Sequence, residues 1–174
     1  MNPVCELLTV DDIQLDVDVP DKARLLQRVA VLLARCQGLS EAEVLSSLVA
    51  REKLGSTGLG HGVAIPHARM PQCGAAAGAF VRTKVAVPFD APDGKPVSIF
   101  LGLLVPKQAT ERHLQLLSTA ATMFSDRTFR DKLRAAPDPG TLRQLLAGWP
   151  GLPQKSNDSV GATPGKSADG NSRN

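Results

Sequence analysis

The chain has 174 residues, 43% of them hydrophobic, and a formal charge of +3; this suits one ordinary domain with a sizeable core, and the weak, unclustered charge leaves no electrostatic footprint for nucleic acid. One Trp, five Phe and no Tyr provide no stacking platform for exposed bases either. The three cysteines, Cys5, Cys36 and Cys73, are odd in number and form no Cys-x-x-Cys pair, which argues against a disulfide framework or structural zinc and predicts a reducing, cytoplasmic setting.

In chain order, Asp16-Val17-Asp18-Val19 runs into Pro20, after which Leu25, Val29, Leu32, Leu33 and Cys36 share one face at helical spacing until Gly38 stops the run. The pattern predicts an amphipathic helix. Ser40 with Glu43 makes a capping-box pattern ahead of Val44, Leu45, Leu48 and Val49, so a second helix is expected to about Leu54, ended by Gly55. The period then changes. Val63-Ala64-Ile65 reads as a short buried strand, because Pro66 biases the residue before it toward extended backbone. Val81, Thr83, Val85 and Val87 alternate with Arg82, Lys84 and Ala86, as in a strand with one buried face. Ala91-Pro92-Asp93-Gly94 has turn residues in favourable places, and Val97 to Val105 is apolar almost throughout, as in a central strand covered on both faces.

Helical spacing returns near the end. Thr110 is read as the cap of a helix carrying Leu114, Leu117, Ala121 and Phe124, Asp126 as the cap of one with Phe129 and Leu133, and Asp138-Pro139 as the start of one with Leu142, Leu145 and Leu146. Helices at both ends with strands between predict a single compact α/β domain over residues 1–150, with a mixed central β-sheet flanked by helices on its faces. Residues 151–174, polar and rich in Gly, Ser and Asn, cannot bury enough surface to offset their ordering entropy and are read as a disordered tail. No apolar run approaches the roughly 20 residues that span a bilayer, and no leader pattern opens the chain, so membrane insertion is not expected.

The stretch richest in chemistry is "GSTGLGHGVAIPH", Gly55 to His67. Gly55, Gly58, Gly60 and Gly62, interleaved with Ser56 and Thr57, allow backbone N–H groups to turn toward one point and hold an anion such as phosphate. The spacing is that of neither a nucleotide P-loop nor a dinucleotide fingerprint, and a flexible turn between helix and strand explains the glycines equally well. Behind Pro66, the imidazole of His67 is held at the end of a short strand. A fixed neutral ring beside an anion nest suits a phosphoryl acceptor. A zinc site built from His61, His67, His113 and Cys73 is the minor alternative, weakened by the absence of close ligand pairs.

The segment "LVAREKLGSTGLGHGVAIPHAR", Leu48 to Arg69, closely resembles the phosphorylation-site segment of the enzyme IIA domains of the phosphoenolpyruvate-dependent phosphotransferase system. Within that system it resembles the fructose/mannitol superfamily, and its nitrogen-regulatory type most. The resemblance extends through "PVSIFLGLLVP" (Pro96 to Pro106), "HLQLLSTAA" (His113 to Ala121) and "LRAA" (Leu133 to Ala136). It implies a compact α/β fold and a phosphocarrier without a cofactor or metal, an enzyme only in the sense of the phosphotransferase class. By the same resemblance, His67 accepts phosphate, as a tele-phosphohistidine, from an HPr-like carrier that is itself charged by an enzyme I type protein. His113 is then the second active-site histidine and Arg51 the basic residue near the phosphate.

Two roles follow from that likeness. One is regulation of partner proteins according to phosphorylation state; the alternative is transfer to a IIB domain for uptake of a fructose- or mannitol-type sugar. The absence of a IIB-like cysteine motif favours the first. Ser56, Thr57, Gly58 and Gly60 are the candidate phosphate-binding residues. His61 departs from the nitrogen-type pattern, which usually has Asn there; both tolerate left-handed backbone, but an imidazole would add a pH-sensitive charge that tunes phosphate stability or carrier docking.

Overall fold

The computed structural model describes residues 2–151; the tail expected over 151–174 lies, beyond its first residue, outside the described residues. Strands β1 (Ile13–Val17), β2 (Gly58–Gly60), β3 (Val63–Ala64), β4 (His67–Met70), β5 (Ala77–Val87) and β6 (Val97–Pro106) form one six-stranded sheet in the order β1-β5-β6-β3-β2, with β4 also on β6. β5 and β6 are antiparallel, as are β2 and β3, whereas β1 runs parallel to β5, and β3 and β4 run parallel to β6. The expected mixed sheet is therefore present.

Helices cover both faces, and β6 shows why its sequence is apolar apart from Ser98. Phe100 and Leu104 point into one core layer with Leu25, Val29 and Leu33 of α1 (Lys22–Gln37) and Val44 and Leu48 of α2 (Glu41–Lys53). Ile99, Leu101, Leu103 and Val105 point into the other, against Leu116, Ala120 and Phe124 of α3 (Thr110–Ser125), Phe129 and Leu133 of α4 (Arg127–Ala135) and Leu142 and Leu146 of α5 (Pro139–Ala147). Successive residues of a strand face opposite sides, so a strand buried on both has no polar positions to show. Gly102 faces α1, and a Cβ there would stand 2.4 Å from Val29 Cγ1; its missing side chain lets the helix lie close on the sheet.

Side-chain caps stand at three of the expected helix starts, although at Ser40 only the hydroxyl half of the expected capping box is made. Ser40 Oγ accepts from Glu43 N at 3.4 Å, Asp126 Oδ1 from Phe129 N at 3.1 Å and Asp138 Oδ1 from Thr141 N at 2.7 Å. The fourth expectation fails: Thr110 is the first residue of α3, and its N-cap, Ala109, makes no side-chain bond. Leu114, expected on the apolar face, is 61% exposed.

β5 also departs from the alternating pattern. It lies between β1 and β6 and is buried from Ala77 to Thr83, whereas Val85 is exposed. Arg82 is buried because its guanidinium has work inside. Nη1 donates to the carbonyls of Leu133, Arg134 and Ala136 at 2.7–3.1 Å, the unpaired end of α4, and Nε and Nη2 donate to Asp16. Cys36, expected in the helix core, is exposed as a residue, but its thiol turns inward to donate to Asp12 Oδ1 at 2.9 Å; the partial desolvation of the sulfur and this carboxylate push the thiol up to about 11.

Arg82→Met keeps much of the side-chain volume but leaves the end of α4 without its donors. A loss of about 2–3 kcal/mol is expected from charge-assisted bonds of this kind, read by urea denaturation; a loss under about 0.5 kcal/mol would show that solvent replaces the cap freely.

Candidate functional site

His67 opens β4 beside Leu103 of β6. The residue before it, Pro66, has no N–H to give, but its carbonyl accepts from Leu103 N at 2.9 Å, so the chain stays tied to β6 between β3 and β4. The ring's Nδ1 is 2.7 Å from the Ile65 carbonyl oxygen. A carbonyl can only accept, so Nδ1 carries the proton and donates, and the lone pair resides on Nε2.

His113 stands in the first turn of α3, its ring centroid 5.3 Å from that of His67 and its plane tilted by 52°. Its own N–H is taken by Ala109 O at 2.9 Å. Arg51, in the last turn of α2, donates from Nη1 to Gly55 O at 2.8 Å. These three residues converge on a cleft of about 640 Å³ between α2, β4 and the start of α3, with Leu54 and Ser47 on its wall.

A further charged wall residue, Arg69, was missed in the sequence. It lies two residues after His67 on β4, and strand periodicity puts the two side chains on one side of the pleat. That spacing was the available signal. Arg69 Nη1 is 3.5 Å from Thr110 Oγ1, which draws it toward α3.

The electrostatics keep both rings neutral. Burial lowers the pKa of His67 below the ordinary imidazole value of 6.5, aided by the Arg51 and Arg69 charges and opposed by the Ile65 bond and Glu52. His113 is lowered by burial, then by His67, Arg69 and Arg51. The result is two uncharged imidazoles beside two guanidinium groups, an arrangement that can present a nucleophilic nitrogen and receive a multiply charged anion.

The glycine run is organised otherwise than expected. Thr57 N donates to both Glu52 carboxylate oxygens at 3.1 and 3.2 Å and its hydroxyl donates to Oε2 at 2.6 Å. Ser56 Oγ donates to Phe89 O at 2.7 Å and accepts from Gly58 N at 3.1 Å. Gly58 and Gly60 pair with β3, and a Cβ on Gly58 would stand 2.8 Å from that of Ala91. Ser56, Thr57, Gly58 and Gly60 therefore do not line the cleft or form a convergent nest; an internal carboxylate and close packing use their donors and their lack of bulk.

His61 adopts the left-handed backbone anticipated for it, with φ 56°. Its N–H donates to Asp93 Oδ2 at 2.9 Å and its carbonyl accepts from Arg134 Nη2 at 2.5 Å. This turn is tied to the start of β6 through Ser98 N and Gly62 O, whereas His67 is paired at Leu103. Five residues of strand put about 16 Å between those levels, so the structure does not bring His61 to the cleft. Nor does Cys73 approach it: its thiol donates to Ala75 O at 2.8 Å. The four-residue zinc set is not assembled, and among the described residues no group of three or more His, Cys, Asp or Glu is placed to hold a metal.

A ring NMR titration of the full chain is expected to give a His67 pKa below 6.5. Since the folded value is depressed, the linked stability is full above the unfolded value and is lost as pH falls through the folded one. A value above 6.5 would mean that Glu52 and the Ile65 bond outweigh burial and the two arginines.

Residues 6–148 match the family described as phosphoenolpyruvate-dependent sugar phosphotransferase system, EIIA 2. The nitrogen regulatory protein of Pseudomonas aeruginosa is 45% identical over 133 residues, which cover 75% of this chain and 86% of that protein. The crystal structure of nitrogen regulatory protein IIA-Ntr from Neisseria meningitidis superposes with a TM-score of 0.80 at 48% identity, covering 82% of this chain and 98% of that one. IIA mannitol from Escherichia coli shares the fold, with a TM-score of 0.68 at 20% identity, covering 80% and 98%. Among the described residues no helix is long and apolar enough to cross a membrane. A cleft with two neutral imidazoles and two arginines thus sits within a chain that belongs to the EIIA type 2 family of the phosphotransferase system, with nitrogen regulatory proteins as its highly similar relatives.

Proposed function

We propose that this chain is a nitrogen-regulatory phosphocarrier: Nε2 of His67 takes a phosphoryl group from the phosphohistidine of an HPr-like protein, charged in turn by an enzyme I type protein. The observation that carries this reading is the bond from Nδ1–H to Ile65 O, which leaves the Nε2 lone pair as nucleophile in a cleft with Arg51 and Arg69. In the transfer, the donor's N–P bond breaks as the Nε2–P bond forms, and the donor ring leaves with the electron pair. The loose transition state asks the protein for alignment and charge stabilisation above all. Arg51 and Arg69 receive the phosphoryl oxygens, and His113, one ring away, supplies a further polar contact.

The nitrogen-regulatory reading is favoured over sugar uptake by the 45% and 48% identity to two proteins of that name, against 36% over a shorter stretch for a fructose-specific EIIA component. In this role the phosphoryl group changes the charge of the face around the cleft, so free and phosphorylated chains engage different regulated proteins. The three free cysteines suit a cytoplasmic setting, where those carriers would also be met.

Incubation with phosphoenolpyruvate, enzyme I and an HPr-like carrier should add one acid-labile phosphate to the intact mass. The label is expected to vanish in His67→Ala, and transfer to slow about 10²–10³-fold in Arg51→Ala or Arg69→Ala with melting temperature unchanged. A label persisting in His67→Ala would overturn the acceptor assignment. On addition of a fructose- or mannitol-type IIB domain the labelled chain should keep its phosphate, whereas rapid loss would favour sugar transport.

A further inference from the structure

Glu52 follows Arg51 at the C-terminal end of α2, where the helix dipole disfavours a carboxylate. Its side chain is only 5% exposed. Lys22 Nζ, on the first residue of α1, approaches Oε1 at 2.9 Å, and Thr57 supplies its amide and hydroxyl to the same carboxylate. Lys22 is itself held over the Phe89 ring, 4.6 Å from its centroid, and lies 3.3 Å from Asp90 Oδ2. A buried ion pair yields little net stability, since desolvation offsets the attraction. Two unfavourable placements, burial and the wrong helix end, ask for a role beyond stability.

From Thr57 a chain of bonds leads to the imidazole. Thr57 O accepts from Ile65 N at 3.0 Å, and Ile65 O accepts from His67 Nδ1–H at 2.7 Å. Glu52 therefore grips the loop whose carbonyl holds Ile65, and Ile65 holds the ring. We propose that Glu52 is a positioning residue that acts through Thr57 to keep the Ile65 carbonyl on Nδ1, fixing the tautomer and rotamer that give Nε2 to the cleft. This rests on His67 being the acceptor proposed above. Glu52 touches neither the ring nor the phosphoryl group.

Its charge adds a second effect. The charged and titratable groups about His67 are Arg51 and Glu52 from α2, Arg69 from β4 and His113 from α3, with Lys22 from α1 against Glu52. Of these Glu52 alone favours the protonated ring. Glu52→Gln keeps an oxygen for Thr57 and removes the charge; Glu52→Ala removes both; Thr57→Val removes only the hydroxyl link.

The test is carried out on the full chain and has two readouts. Ring ¹⁵N shifts of unphosphorylated His67 report the tautomer, and single-turnover transfer over a range of phosphorylated HPr-like carrier concentrations reports a saturating rate, written kcat, and a half-saturating concentration, written KM. In folded Glu52→Ala and Thr57→Val the Nδ1–H form should give way to a mixture, and kcat should fall about 10- to 100-fold with KM within about twofold, as for a misaligned nucleophile. Glu52→Gln should restore the Nδ1–H signature and most of kcat, with the His67 pKa lowered further. Unchanged ring shifts and kcat in folded Ala and Val variants would overturn the proposal and reduce Glu52 to a structural anchor. If Glu52→Ala does not fold, Thr57→Val decides the outcome alone. The ring measurement needs no phosphate, so a tautomer shift in a chain that takes no label supports the clamp while refuting the acceptor role.

Discussion

The hydrogen bond from His67 Nδ1–H to the Ile65 carbonyl, two residues back in the chain, is short at 2.7 Å and decides which nitrogen can act. It requires Ile65 and His67 to lie on either side of a residue whose backbone geometry is set, and Pro66 meets that need through its fixed φ. It also requires the segment to be anchored at both ends. β3 and β4 provide this by running parallel to β6 before and after the proline, with Pro66 O accepting from Leu103 N in between. The link that holds the ring is thereby fixed to a strand packed on both faces.

That strand is rigid because both faces are packed. α1 and α2 cover one side and α3, α4 and α5 the other, so the end of α2 and the start of α3 come up on either side of β4. Arg51 and His113 reach the same cleft from these helices, and Arg69 from the strand itself. Each arginine raises the local positive potential, and with burial it keeps the rings neutral. In the transfer proposed above, one set of charges thus preserves the nucleophile beforehand and neutralises the phosphoryl group afterwards. Nothing in the arrangement asks for a large conformational change; regulation would be read from the charge placed on this face.

The parts of the fold legible in the sequence are those where a single local rule operates. Asp126 and Asp138 announce helix starts, and the nearly continuous apolar run of β6 announces a strand covered twice. The rule fails where a partner distant in sequence decides the outcome. Arg82 looks like the solvent side of an alternating strand, yet the carbonyls at the end of α4 draw it inside. Thr57 and Ser56 look like phosphate donors, but Glu52 and the Phe89 carbonyl take their hydrogens. His67, His113 and Arg51 were visible mainly by family resemblance, and the structure brings them to one cleft. Arg69 was open to strand periodicity, while His61, inside the same motif, is held at another level of the sheet by Asp93 and Arg134.

Regiochemistry of the phosphorylated ring tests the central claim most directly. Combined ¹⁵N and ³¹P NMR of the chain after charging by its carrier is expected to show phosphorus on Nε2 of His67, with the proton still on Nδ1. Phosphorus on Nδ1, or on a residue outside the cleft, would contradict the role given to the Ile65 carbonyl and to everything built around it.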